Sequence, residues 1–245
     1  MAANRACFTF VDCPFMLCPS FDTGFQDVTL AIFDLDNTLL NGDSDYLWGK
    51  FLVERGVVDG DWYERENQRF YDEYNAGRLD IFEFLRFSLA PLAKYDLARL
   101  QAWHADFMRD KIVPIMQTRA HALLDKHRAR GDTLLIITAT NRFVTEPIAR
   151  AYGIDNLIAT EPEFIDGRYT GEVSGTPCFR EGKVKRLSAW LTETGLNLED
   201  SSFYSDSHND LPLLEMVTTP VAVDPDPTLT DHATARGWSI ISLRD

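Results

Sequence analysis

The feature that most constrains this chain is a set of short apolar runs that alternate with helical stretches. The runs occupy residues 29–33, 133–138, 202–204, 221–223 and 239–243. They are near-continuous hydrophobics, the pattern of strands covered on both faces of a parallel sheet. Helical periodicity fills 115–130, 142–152, 183–194, 211–215 and 228–236. Gly131, Gly153, Gly195 and Gly237 each fall just past such a stretch, where a left-handed terminal residue is favoured. Strand alternating with helix predicts an α/β fold, an open, doubly wound parallel sheet.

Residues 43–112 depart from that rule, because the strands stop and only helical periodicity remains. Ile81, Leu85, Leu89 and Leu92 lie on one face of a helix. Trp48, Phe51 and Leu52, then Trp62, Phe70 and Tyr74, mark two helices before it, and 97–112 a fourth. The expected plan is a core of residues 28–42 and 116–245, an all-helical cap of residues 43–115 inserted after the first strand, and an N-terminal extension of residues 1–27. An apolar content of 45% and a charged content of 25% suit a globular chain, and no apolar run approaches a membrane span. The net charge of −14 argues against a nucleic-acid surface, and it obliges any anion site to create its own positive field. Cys7, Cys13, Cys18 and Cys178 have no partner cluster that would complete a zinc site, so a reduced, cytoplasmic protein is expected.

Ligands of open parallel sheets bind beyond the C-terminal ends of the strands, so the polar residue that ends each strand carries the chemistry. The first strand runs into "AIFDLDNTLL", ending in Asp34 and Asp36, two positions apart and able to face one site. A second ends at Thr138 in "LLIITATN"; a third runs into "FYSDSHND", with Asp206, Asn209 and Asp210. Lys183 opens a helix in "REGKVKRL". Several carboxylates at one place repel one another unless a cation sits among them, and an all-oxygen donor set suits Mg²⁺. A carboxylate nucleophile, a metal and donors to nonbridging oxygens are the parts that phosphoryl transfer needs.

In this order and setting, "DLDNT", Thr138, Lys183 and "SDSHND" resemble the four motifs of the haloacid dehalogenase superfamily of phosphatases. The resemblance covers nearly the whole chain from about residue 28, and the helical insert is similar to the cap of the phosphoserine-phosphatase-like branch. It implies that Asp34 attacks phosphorus, while Asp36 protonates the leaving alkoxide and later activates water. By the same resemblance Thr138, Lys183 and Asn209 meet the phosphate side of the site. Asp34, Asp206 and Asp36, the last through its backbone carbonyl, hold Mg²⁺, with Asp210 in support. The expected substrate is a small phosphorylated metabolite, with neither nucleic acid nor membrane as partner.

The leaving group is expected to be chosen by the cap. Where phosphoserine phosphatases carry an arginine for the substrate carboxylate, an ungapped comparison places Ser88, and Asp43 stands where they carry the glutamate that meets the substrate amine. An unpaired substrate carboxylate would be costly, which demotes phosphoserine. Arg86 is two residues from Ser88 and on another helix face. The stretches "NGDSDYLW" and "FEFLRFSLAPLA" resemble the group of that branch to which bacterial histidinol-phosphatases belong. An amino phosphate whose cationic groups meet Asp43, Asp45 or Glu83 is therefore expected, with phosphoserine or a broad metabolite range as the alternative; His208 is left open between a site residue and a turn residue.

Overall fold

The computed structural model describes residues 29–244, so the extension and Cys7, Cys13 and Cys18 lie outside the described residues. Strand β1 (Leu30–Phe33) enters the core and is followed by α1 (Ser44–Glu54), α2 (Gly60–Asn75), α3 (Ile81–Lys94) and α4 (Leu97–Phe107). A wider turn over Met108–Ile112 leads to α5 (Thr118–Ala129), β2 (Thr133–Asn141) and α6 (Arg142–Ala151). Then come β3 (Asn156–Ile165), β4 (Arg168–Ser174), α7 (Glu181–Thr194), β5 (Ser202–Ser205) and the short α8 (Leu211–Leu214). Strand β6 (Thr219–Val223), α9 (Pro227–Arg236) and β7 (Ser239–Ile241) complete the order.

The strands form one sheet in the order β4-β3-β2-β1-β5-β6-β7, parallel throughout except for the β3–β4 pair. Pleating explains why β1 reads as an unbroken apolar run. Ala31 and Phe33 face a core layer that holds Leu124 of α5 and Ile148 of α6, while Leu30 and Ile32 face Leu187 of α7 and Leu229 of α9. Both faces are therefore covered, as a doubly wound sheet requires. Gly195 and Gly237 take left-handed φ values of 74° and 68° and close α7 and α9, as expected from their positions.

The antiparallel β3–β4 hairpin departs from the expected all-parallel sheet. Its turn, Asp166-Gly167, has φ of 50° and 81°, the left-handed pair that a tight hairpin requires. Glu161, Pro162 and Glu163 interrupt the apolar run of β3, and the exposed-then-half-buried alternation of β4 marks a sheet edge.

The helical insertion starts each of its first four helices in the same way. Asp43, Asp59, Asp80 and Asp96 accept backbone N–H bonds from the first turns of α1, α2, α3 and α4. Each such cap stabilises its helix by about 1 kcal/mol. Part of the acidic balance of the chain is thus spent locally, at helix starts. Helix α3 also leans on the hairpin, with Ala90 and Ala93 lying over Gly171 of β4.

Candidate active site

Just past β1 the chain makes a compact loop. Asp34 N still donates to Tyr204 O of β5 at 2.9 Å, and Leu40 N reaches back to Leu35 O at 3.0 Å. Leu35 and Leu39 are fully buried, whereas Asn37 sits at the apex with φ of 55°. The apolar positions of "DLDNTLL" thus anchor the loop and leave Asp34 and Asp36 at the end of the strand. Arg244, far away in sequence, clamps the loop through Asn37 O at 2.9 Å and Leu40 O at 3.2 Å.

Lys183 comes from the first turn of α7. That turn fits closely because of Gly182, where a Cβ would come within 2.1 Å of Pro177 O. The buried ammonium donates to Asp34 Oδ1 at 2.8 Å and Asp210 Oδ2 at 2.7 Å. Burial works against its charge, but Asp210 and Asp34 outweigh it and hold Lys183 protonated. Asp210 also accepts from Ser205 Oγ at 2.7 Å, so it supports the lysine from below. Asp36 is fixed by Ser44 N at 2.6 Å, Thr140 Oγ1 at 2.8 Å and Thr138 Oγ1 at 3.3 Å. Thr38 Oγ1 donates to Asp206 Oδ1 at 2.9 Å and accepts from Asp206 N at 3.1 Å.

Burial pushes Asp34 well above the ordinary carboxylate range, Lys183 opposing it and Asp210 and Asp206 adding to it. Burial likewise raises Asp206 to about 7, against its bond from Thr38 and with Asp210 adding to the rise. Two buried oxygen donors short of compensating charge are chemically suited to a small divalent cation. Among the described residues no three His, Cys, Asp or Glu side chains converge into a metal cage. A donor set of two carboxylates, a backbone carbonyl, water and substrate phosphate is nevertheless the habit of Mg²⁺, and the residues present fit it.

A cavity of about 190 Å³ opens over these groups. Asp34, Asp36, Thr138, Lys183, Asp206, Asn209 and Asp210 line it from the core, so the expected core residues are brought together. From the insertion come Asp43, Asp45 and the rings of Tyr46, Phe70, Tyr71, Tyr74 and Phe84. Asp43 is open to solvent yet walled by protein, and that confinement, with the Asp36 charge, raises its affinity for a proton. Asp45 is buried, with one bond, from Asn141 Nδ2 at 3.3 Å. Burial and the Asp43 and Asp36 charges push its carboxyl well up.

Two expected cap residues, Ser88 and Glu83, lie elsewhere, and so does His208, which the sequence left open. Ser88 is buried in α3 away from the cavity, and its Oγ has no hydrogen-bond partner. Glu83 is paired with Arg69 at 2.8 Å. His208 turns to Asp226, which accepts from its backbone N at 2.7 Å and lies 2.9 Å from its Nδ1, so it behaves as a turn residue. Sequence reasoning missed Thr38, Thr140, Ser207, Tyr74 and Arg180. Thr140 was within reach, lying two residues after Thr138 and so on the same side of β2, and Thr38 belongs to the quoted "DLDNT" itself. Ser207 sits inside the quoted "SDSHND", whereas Tyr74 and Arg180 meet the site only through tertiary contacts.

Residues 31–215 match the family model of haloacid dehalogenase-like hydrolases. The chain is 46% identical over 219 residues to a histidinol-phosphatase of Neisseria meningitidis serogroup C, covering 88% of this chain and 99% of that protein. It is 32% identical over 219 residues to a phosphoserine phosphatase of Mycobacterium tuberculosis, covering 87% of this chain and 70% of that one. Among solved structures, a protein of unknown function from Bordetella pertussis Tohama I superposes with a TM-score of 0.83 at 50% identity, covering 88% of this chain and 99% of that one. A substrate-bound phosphoserine phosphatase shares the fold, with a TM-score of 0.65 at 20% identity, covering 89% of this chain and 93% of that one.

Proposed function

The chain belongs to the haloacid dehalogenase-like hydrolases, and from that premise we propose that it is a phosphomonoesterase whose substrate is histidinol phosphate. In this reading residues 43–115 form the cap that selects the leaving group over a core of residues 28–42 and 116–245. Asp34 Oδ attacks phosphorus as the ester P–O bond breaks, giving an aspartyl phosphate, and Asp36 transfers a proton to the departing alkoxide. Asp36 then takes a proton from water, whose oxygen attacks phosphorus and releases Asp34 and inorganic phosphate. Thr138, Lys183 and Asn209 bind the phosphoryl oxygens. Asp34, Asp206 and the Asp36 carbonyl would hold Mg²⁺, which supplies charge neutralisation for the incoming dianion.

The observation that carries the choice of substrate is the acidity of the cap side. Asp43 and Asp45 face the cavity, and burial or confinement leaves both short of a compensating charge. Among the described residues lining the cavity, Lys183 is the one cation, and Asp34 and Asp210 already engage it. Beside Asp43 and Asp45 a substrate carboxylate would thus meet two acids, with Arg180 outside the lining and bonded to Asn209, whereas an amine and an imidazole would meet partners. The 46% identity to the Neisseria enzyme across nearly its full length supports the same choice.

The decisive experiment measures Mg²⁺-dependent phosphate release from histidinol phosphate and phosphoserine side by side, with Asp34→Asn as control. Preference for histidinol phosphate, abolished in Asp34→Asn, is expected. Preference for phosphoserine would transfer the assignment to that substrate, and equal weak rates on both would point to a broad metabolite phosphatase.

A further inference from the structure

The end of α2 touches the core at two points on the rim of the site. Tyr74 Oη lies 2.7 Å from Ser207 Oγ, and the Tyr74 ring packs on Phe179 with centroids 6.0 Å apart. Three residues farther on, the Arg180 guanidinium passes over Gly77, and Arg180 Nε donates to Asn209 Oδ1 at 2.8 Å. Tyr74, Phe179, Ser207 and Asn209 all line the cavity. Both contacts therefore land on the short segment 205–210, which also carries Asp206 and Asp210.

Within that segment the bonds form a continuous chain. Ser207 Oγ accepts from Asn209 N at 3.2 Å, and Ser207 N donates to Ser205 Oγ at 3.2 Å. Ser205 Oγ in turn donates to Asp210 Oδ2, the oxygen that also receives Lys183 Nζ. Lys183 completes the chain at Asp34 Oδ1. A hydroxyl on the cap side is thus linked, through one loop, to the cation that sets the nucleophile. Removing the phenolic hydroxyl leaves Ser207 Oγ held only within its own loop, by Asn209, and the loop loses one of its ties to the insertion.

We propose that Tyr74 is a positioning residue: its hydrogen bond to Ser207 holds the 205–210 loop in the arrangement that seats Lys183 against Asp34 when the cap lies over the core. The proposal rests on the reading of Asp34 as nucleophile. Its consequence is that engagement of the cap and readiness of the phosphoryl-transfer groups are coupled, so the turnover step slows when the bond is cut while substrate capture by Asp43 and Asp45 persists.

The test is a double-mutant cycle of Tyr74→Phe and Ser207→Ala, with steady-state kinetics on histidinol phosphate. Each single variant is expected to lose about tenfold in kcat with KM changed by less than about twofold, the scale of one hydrogen bond. The double variant is expected to lose no more than Ser207→Ala alone. Losses that multiply, or a wild-type kcat in Tyr74→Phe, would overturn the proposal. Amide hydrogen exchange across 205–210 supplies a readout independent of turnover. Faster exchange in Tyr74→Phe is expected, and unchanged exchange overturns the coupling whatever the kinetics show. Full activity in Asp34→Asn, by contrast, would remove the nucleophile assignment while the exchange result still decided the role of Tyr74.

Discussion

Lys183 illustrates at the residue scale how the site holds charge in a buried place. Its ammonium is shared by Asp34 and Asp210, and all three side chains are nearly inaccessible. Lys183→Met would leave two buried carboxylates without a counter-charge, so a loss of about 3–5 kcal/mol is expected by urea denaturation. Phosphate release should vanish in the same variant, because under the proposed mechanism Lys183 is the cation that meets the phosphoryl oxygens. Thr38→Val removes the bond that orients Asp206, and a 10- to 100-fold rise in the Mg²⁺ concentration for half-maximal rate is expected, about the usual cost of losing such a partner. Most of these residues were legible in the sequence, because the end of an apolar strand is where a parallel sheet presents its chemistry. Ser88 was not: position along a helix says little about which way the helix faces, and α3 turns Ser88 inward.

Helix packing inverts a familiar rule. Gly49 lies inside α1, where alanine would ordinarily be the better helix former by about 1 kcal/mol. Here a Cβ would come 1.7 Å from Tyr63 Oη and 2.1 Å from Tyr63 Cζ. Gly49→Ala is therefore expected to destabilise the protein by about 1–3 kcal/mol, as overpacking does, with a lower melting temperature as the readout. His104 of α4 is buried against Trp48 of α1 and Phe143 of α6, with Nε2 2.9 Å from Val144 O. Burial lowers its proton affinity, and the same holds for His127 of α5. The unfolded chain takes up protons near pH 6.5 while the folded imidazoles still resist, so stability is held above that pH and falls below it. The raised carboxylates act in the opposite direction. The difference in slope between wild type and His104→Phe isolates the imidazole, and stability is expected to rise less, or fall more, with pH in the variant in urea titrations between pH 5 and 7.5. None of this pairing was visible in the chain, since α1, α4 and α6 meet only when the sheet brings them together.

Across the whole molecule, the central position of β1 places its end between β2 and β5, which supply Thr138 and the Asp206 loop. The apolar core layers on the two sheet faces are built from hydrophobic side chains, none of them among the residues proposed to hold Mg²⁺. Chelation of Mg²⁺ is thus expected to abolish phosphate release and leave the fold intact, seen as an unchanged far-ultraviolet circular dichroism spectrum. Mg²⁺ added with orthophosphate should raise the melting temperature by about 5 °C or more at saturating ligand, because both bind the folded form alone. Buried parallel strands were legible to within a few residues, since burial on two faces leaves little choice of composition. The β3–β4 hairpin was not, because an edge strand obeys weaker rules and a proline with two glutamates masks β3.

That hairpin has a bearing on how such enzymes can be rebuilt. Helix α3 rests on β4 through Ala90 and Ala93 over Gly171, so the insertion touches a second, distant stretch of sequence. A specificity graft that exchanged residues 43–115 alone would set a foreign helix on a strand shaped for another. The transplantable unit is two pieces of chain, the insertion and the hairpin together, and recombination between relatives succeeds or fails on whether both travel.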